Sequence, residues 1–126
     1  MIVDSSAVVA VIRGEPEADA FSELLGSSTV ASMSAGTLLE TSVVLGPRQL
    51  DDLDDLLGWA RLMVAPFDEE QARAARAAYL IYGKRSGSRA RLNFGDCFSY
   101  ALAKVTGQPL LFKGDDFSHT DITPAR

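Results

Sequence analysis

Apolar and polar positions along the chain alternate between two spacings, one of strands and one of helices. Met1-Ile2-Val3 is a short apolar run stopped by Asp4, which predicts a buried strand ending at a functional edge. Small and apolar residues from Ser5 to Ile12 predict a short helix stopped at Gly14. Pro16 to Leu25 then sets Glu17, Asp19 and Glu23 against Ala20, Phe21, Leu24 and Leu25, an amphipathic helix with an early proline. Ser28 to Ser32 is β-prone and gives a second strand. Ser34 caps a helix over Ala35 to Leu45 that ends at Gly46-Pro47.

Gln49 to Met63 repeats Leu50, Leu53, Leu57 and Ala60 at helical spacing and assigns Trp59 to the core, with Asp51, Asp52, Asp54 and Asp55 as a solvated face. Met63 to Pro66 is a short third strand. Asp68 caps a helix to about Tyr82, with Ala72, Ala75, Tyr79 and Tyr82 inward. Cys97 to Val105 is apolar on most sides, which predicts a helix buried between the sheet and its neighbours. Leu110 to Phe112 is the next strand, and beyond Thr123 lies a last short strand or a loose tail. The alternation predicts a single three-layer α/β/α domain over residues 1–126, with a mainly parallel sheet and the first strand at its centre.

Composition narrows the function classes. Seventeen acidic against twelve basic residues, a formal charge of −5, argue against holding nucleic acid by bulk electrostatics. A nuclease remains open, because a carboxylate site carries charge that bound cations neutralise. The single cysteine, Cys97, allows no internal disulfide and fits a reducing compartment. With no leader pattern and no apolar run of about 18 residues, a cytoplasmic protein without a membrane span is expected.

The acids of interest stand where chemistry is done. Asp4 follows the first strand, Asp96 opens the apolar helix, and Asp115-Asp116 follow the last clear strand, with Phe117 anchoring their turn. For Asp4, capping of the next helix is an equal alternative. Glu40 sits in an apolar helix with no Lys or Arg three or four residues away, where a solvated surface role is the plain alternative. Lys84, Arg85, Arg89 and Arg91 lie in a Gly- and Ser-rich loop, the one place where a polyanion could be gripped; a solvated loop accounts for them equally well. Cys97 reads as a buried small residue, and His119 is assigned no role.

Three or four clustered carboxylates repel one another and take up protons unless cations neutralise them. Oxygen ligands suit hard divalent ions such as Mg²⁺, and such ions assist phosphodiester hydrolysis.

The stretches Met1-Ile2-Val3-Asp4-Ser5-Ser6-Ala7, Leu92-Asn93-Phe94-Gly95-Asp96-Cys97 and Leu110-Leu111-Phe112-Lys113-Gly114-Asp115-Asp116-Phe117, together with a helical Glu40, resemble the PIN-domain ribonucleases, specifically VapC-type toxins of bacterial toxin–antitoxin pairs. The resemblance covers essentially the whole chain. It implies a parallel sheet of about five strands between helices, an Mg²⁺ or Mn²⁺ site, endonucleolytic cleavage of RNA, a homodimer and a cognate VapB-type antitoxin. By position, Asp4, Glu40 and Asp96 match the three core acids, with Asp4 and Asp96 as metal ligands, and Ser6 matches the small polar residue that supports the first aspartate. Many relatives place the fourth acid at the position of Gly114; here Asp115 or Asp116 takes that role, with Asp116 preferred. Two other readings stay open: a catalytically silent PIN-like module that only binds a partner, and a phosphoacceptor receiver domain. The receiver reading lacks its acid after the middle strand, since Phe67 follows Pro66, and nucleotide-binding readings fail because no glycine-rich phosphate loop follows the first strand.

Overall fold

The computed structural model describes residues 1–126. Its centre is β1 (Ile2–Val3), both residues fully buried. From there the chain forms α1 (Ser5–Ile12), α2 (Ala18–Ser27), β2 (Ala31–Ser34), α3 (Ala35–Leu45), a 3₁₀ turn at Pro47–Gln49, α4 (Leu50–Trp59), β3 (Leu62–Ala65), α5 (Glu69–Tyr82), α6 (Phe94–Thr106) and β4 (Leu110–Leu111). All neighbouring strands are parallel, in the order β3-β2-β1-β4. The expected fifth strand is reduced to one parallel bridge, Leu110 to Pro124, in which the Leu110 amide donates to Thr123 and the Ala125 amide to Leu110.

Side chains alternate across the pleat, and this alternation builds the layers. Val3 and Leu111 join Phe21, Leu25, Met33, Leu53 and Leu56 on the face covered by α1, α2 and α4. Ile2 and Leu110 join Ala78, Tyr100, Leu102 and Phe117 on the face covered by α5 and α6. The three-layer α/β/α arrangement with a parallel sheet follows. Helix α3 packs against both α1 and α6 and so bridges the two helical layers.

Several boundaries and faces differ from the pattern-based expectation. β2 starts at Ala31 because Ser28 closes α2, and Ser34 both ends β2 and caps α3, accepting from the Gly36 amide at 3.2 Å. α4 ends at Trp59; Arg61 turns the chain with φ +49°, and β3 begins at Leu62. Trp59 is thus the last helical residue and half exposed, not in the core. On α5 the buried positions are Gln71, Ala75 and Ala78, whereas Ala72 and Tyr79 face outward. The rotation has a cause: the Gln71 side-chain amide donates from Nε2 to the Pro66 carbonyl at 2.9 Å, and the small residues of α5 let it lie close on α6. α6 begins three residues earlier than expected because Asn93 caps it. No helix is long and apolar enough to cross a membrane.

Candidate active site

The chain runs from β1 outward to β2 and β3, then returns to place β4 on the other side of β1. The gap between β1 and β4 is therefore a topological switch point, the position at which open parallel sheets bind ligands. Asp4 follows β1 and Asp115-Asp116 follow β4, so both flank it.

Asp4 is 2% exposed and caps α1, its Oδ2 accepting from the Ser6 amide at 3.0 Å and the Ser6 hydroxyl at 2.7 Å. Capping α1 therefore leaves Asp4 at the mouth of β1, with its second oxygen turned to α6. The Ser6 Oγ also accepts from the Lys113 amide at 2.9 Å, tying the mouth of β1 to the exit of β4. Asp4 Oδ1 accepts from the Ser99 hydroxyl on α6 at 2.6 Å. Since that hydrogen goes to Asp4, the Thr37 hydroxyl donates to Ser99 in the 3.1 Å contact between them. Ser99 and Thr37 are fully buried. Neither was picked out from the sequence. The available signal was a hydroxyl three residues after Asp96, on the same face of a helix otherwise apolar there.

Asp96 lies in the first turn of α6, where it and Asn93 cap each other. The Asp96 amide donates to Asn93 Oδ1 at 2.9 Å, and Asp96 Oδ2 accepts from the Asn93 amide at 2.8 Å. Burial pushes the Asp96 carboxyl up to about 7 against the pull of the Asn93 N–H, with Asp4, Asp116 and Glu40 adding negative charge nearby. The ionising influence expected of the helix N-terminus is thus outweighed here by burial and crowding. Glu40 reaches from α3 to the first turn of α6. Its carboxyl is also raised, by burial first, with the Ser5 hydroxyl opposing and Asp4 adding to the rise; its Oε1 is buried without a hydrogen-bond partner.

Asp115 and Asp116 are exposed in the turn after β4, which Gly114 opens at φ +93° and buried Phe117 anchors. Of the two, Asp116 is the one whose charge Asp96 feels. None of Asp4, Glu40, Asp96, Asp115 or Asp116 has an ion-pair partner. Lys113, the cation next to the acidic turn, is drawn to Glu15 and Glu17 instead. Lys84, Arg85, Arg89 and Arg91 are exposed and also unpaired, in a loop closed by the Lys84 amide on Leu92 at 3.1 Å and leading directly into the α6 cap. His119 is exposed and contacts none of the acids.

No three Asp, Glu, His or Cys side chains converge on one point as a finished chelate. The donor set nevertheless fits a hard divalent ion bound partly through water: it is all oxygen, one carboxylate oxygen is buried and orphaned, and two carboxyls are pushed toward protonation by burial first and by neighbouring acids second. Asp4 Oδ1 keeps a free lone pair, and Asp96 Oδ1 has no partner.

Residues 1–122 match the PIN domain. The VapC ribonuclease Mb2780c of Mycobacterium bovis is 48% identical over 99% of this chain and 98% of its own length. Ribonuclease VapC28 of Mycobacterium tuberculosis is 46% identical over 99% of this chain and 97% of its own. Among solved structures, VapC20 of M. tuberculosis, described as a sarcin-ricin loop cleaving toxin, shares the fold with a TM-score of 0.78 at 20% identity, covering 99% of this chain and 98% of that one. The acids gathered at the switch point are thus held in a PIN fold, and the chain belongs to the PIN-domain family, in its VapC ribonuclease branch.

Proposed function

We propose that this chain is a divalent-metal-dependent endoribonuclease and the toxin of a toxin–antitoxin pair. The observation that carries the reading is the meeting of Asp4, Glu40, Asp96 and Asp116, from four separate elements, at one sheet edge with no cation to balance them. Asp4 and Asp96 are the residues that would hold Mg²⁺ or Mn²⁺, with Glu40 and Asp116, or Asp115 in its place, helping directly or through water. An ion bound there would offset the carboxylate repulsion and activate water toward phosphorus.

The protein's own groups prepare that chemistry. Ser6 and Ser99 fix both oxygens of Asp4, and Asn93 fixes Asp96, so neither acid has to be ordered when substrate arrives. Lys84, Arg85, Arg89 and Arg91 have free charges to place on the RNA backbone, which positions the strand without reading its sequence.

A VapB-type antitoxin is the proposed partner. A toxin–antitoxin complex from Klebsiella pneumoniae and VapBC2 of Rickettsia felis bound to promoter DNA share this fold. A homodimer is proposed as well, supported by an apolar groove of about 580 Å³ lined by Phe67, Tyr79, Leu80, Phe94 and Phe98. The single-domain organisation over residues 1–126 and a cytoplasmic setting complete the reading.

The test is cleavage of a mixed pool of cellular RNA by the purified chain with Mg²⁺, with EDTA, and with Asp96→Asn in place of the native protein. Metal-dependent cleavage lost in the variant is expected. A native chain that is inert with metal and free of any bound inhibitor would move the reading to a silent partner-binding module.

A further inference from the structure

We infer that Gly95 is a positioning residue whose missing Cβ makes the space in which the Glu40 carboxylate lies. This deepens the metal-dependent site proposed above and rests on it. The contact belongs to a close crossing of α3 on α6, where Gly36, Thr37 and Glu40 face Phe98, Ser99 and Gly95. A Cβ built on Gly95 would stand 1.4 Å from Glu40 Oε2 and 2.3 Å from its carboxyl carbon, so the two cannot coexist.

The backbone at position 95 does not call for glycine. It lies within α6 and is not among the residues with positive φ, so its backbone suits any residue, and glycine is a poor helix former. The helices themselves are held close. A Cβ on Gly36 would fall 2.3 Å from the Phe98 ring, and the Thr37–Ser99 hydrogen bond joins the same two helices. What can yield is the end of the Glu40 side chain, whose Oε1 has no hydrogen bond to return it. A methyl group at position 95 therefore moves a site carboxylate and leaves the fold alone.

The experiment is a cycle of Gly95→Ala, Glu40→Ala and the double variant, each read by Tm, by Mn²⁺ affinity from calorimetry and by RNA cleavage. Gly95→Ala is expected to keep or raise Tm, because alanine favours the helix. It is expected to lower cleavage on the order of 100-fold, the scale of a misplaced reacting group, and to bring Mn²⁺ affinity down to that of Glu40→Ala. In the Glu40→Ala background it should change nothing further. Native cleavage and affinity in Gly95→Ala would overturn the inference. So would an equal loss in both backgrounds, which would place the effect in α6 itself, and so would a Gly95→Ala chain that fails to fold. A native chain that binds Mn²⁺ but cuts no RNA would defeat the ribonuclease reading while the affinities still decide the role of Gly95. Absence of Mn²⁺ binding by the native chain would overturn both.

Discussion

Replacing Asp96 by asparagine in the metal-free chain should stabilise it at neutral and alkaline pH. The buried Asp96 carboxyl stands at about 7 in the folded chain against an ordinary 3.8. Between those values the folded chain binds a proton that the unfolded chain has released. Stability therefore falls as pH rises from about 4, and the loss is complete above about 7. At 1.36 kcal/mol per pH unit, the full penalty is about 4 kcal/mol. That figure is an upper bound, because part of it is repulsion from the neighbouring Asp4, Asp116 and Glu40 and does not belong to Asp96 alone. Asparagine removes the charge and keeps an oxygen for the Asn93 amide, so the cap of α6 survives.

Urea unfolding in EDTA at pH 5 and pH 8 measures this directly. The native chain should lose stability over that interval, and Asp96→Asn should lose much less and be the more stable of the two at pH 8. Mg²⁺ should then stabilise the native chain at pH 8 and leave the variant nearly unmoved, since only a binding-competent folded state gains from ligand. A native chain whose stability is flat from pH 5 to pH 8 in EDTA, or a variant less stable at pH 8, would refute the electrostatic account of the site.

Three further outcomes follow from individual contacts. Ser99→Ala leaves Asp4 Oδ1 without its buried donor and Thr37 without an acceptor, and should cost about 1–3 kcal/mol in urea unfolding together with most of the cleavage activity. Asn93→Ala removes the side-chain half of the α6 cap, and a loss of about 1 kcal/mol should appear in Tm, with weaker Mn²⁺ binding because Asp96 is less firmly oriented. Replacing Lys84, Arg85, Arg89 and Arg91 together by alanine should raise KM for RNA and flatten its salt dependence while kcat changes little; an unchanged salt slope would free the loop of any role in binding.

What could be read from the sequence was what local order determines. Asp4 was visible because a three-residue apolar run stops at it, and Asp96 because it opens an apolar helix. Glu40 stood out as an acid with no cation within one helical turn. Each lies where that reasoning puts it. Contacts between distant segments were not visible in this way. Thr37 and Ser99 lie 62 residues apart, and only the crossing of α3 on α6 turns two ordinary hydroxyls into a support for Asp4. Trp59 fits the helical period of its segment, yet α4 ends there and leaves the ring half exposed. Tyr79 fits the period of α5 equally well, but the direction in which that helix faces was set by Gln71 and by α6, which no local pattern contains.

The supports of the acids differ in kind, and the difference orders their roles. Asp4 is fixed by two serine hydroxyls and an amide, Asp96 by reciprocal capping with Asn93, and Glu40 by steric room at Gly95, with no hydrogen bond at Oε1. Asp116 is exposed and has no side-chain partner at all. Hydrogen bonds fix an oxygen in direction as well as position, whereas steric room fixes position only. On the metal-dependent reading proposed above, Asp4 and Asp96 would therefore be the pair that binds an ion directly. Glu40 and Asp116 retain the freedom to adjust as an ion, water and phosphate enter. Replacement of the first pair should accordingly remove Mn²⁺ binding outright, while Glu40→Gln and Asp116→Asn should weaken it and leave it measurable by calorimetry. Mn²⁺ binding that survives Asp4→Asn but not Asp116→Asn would reverse this order.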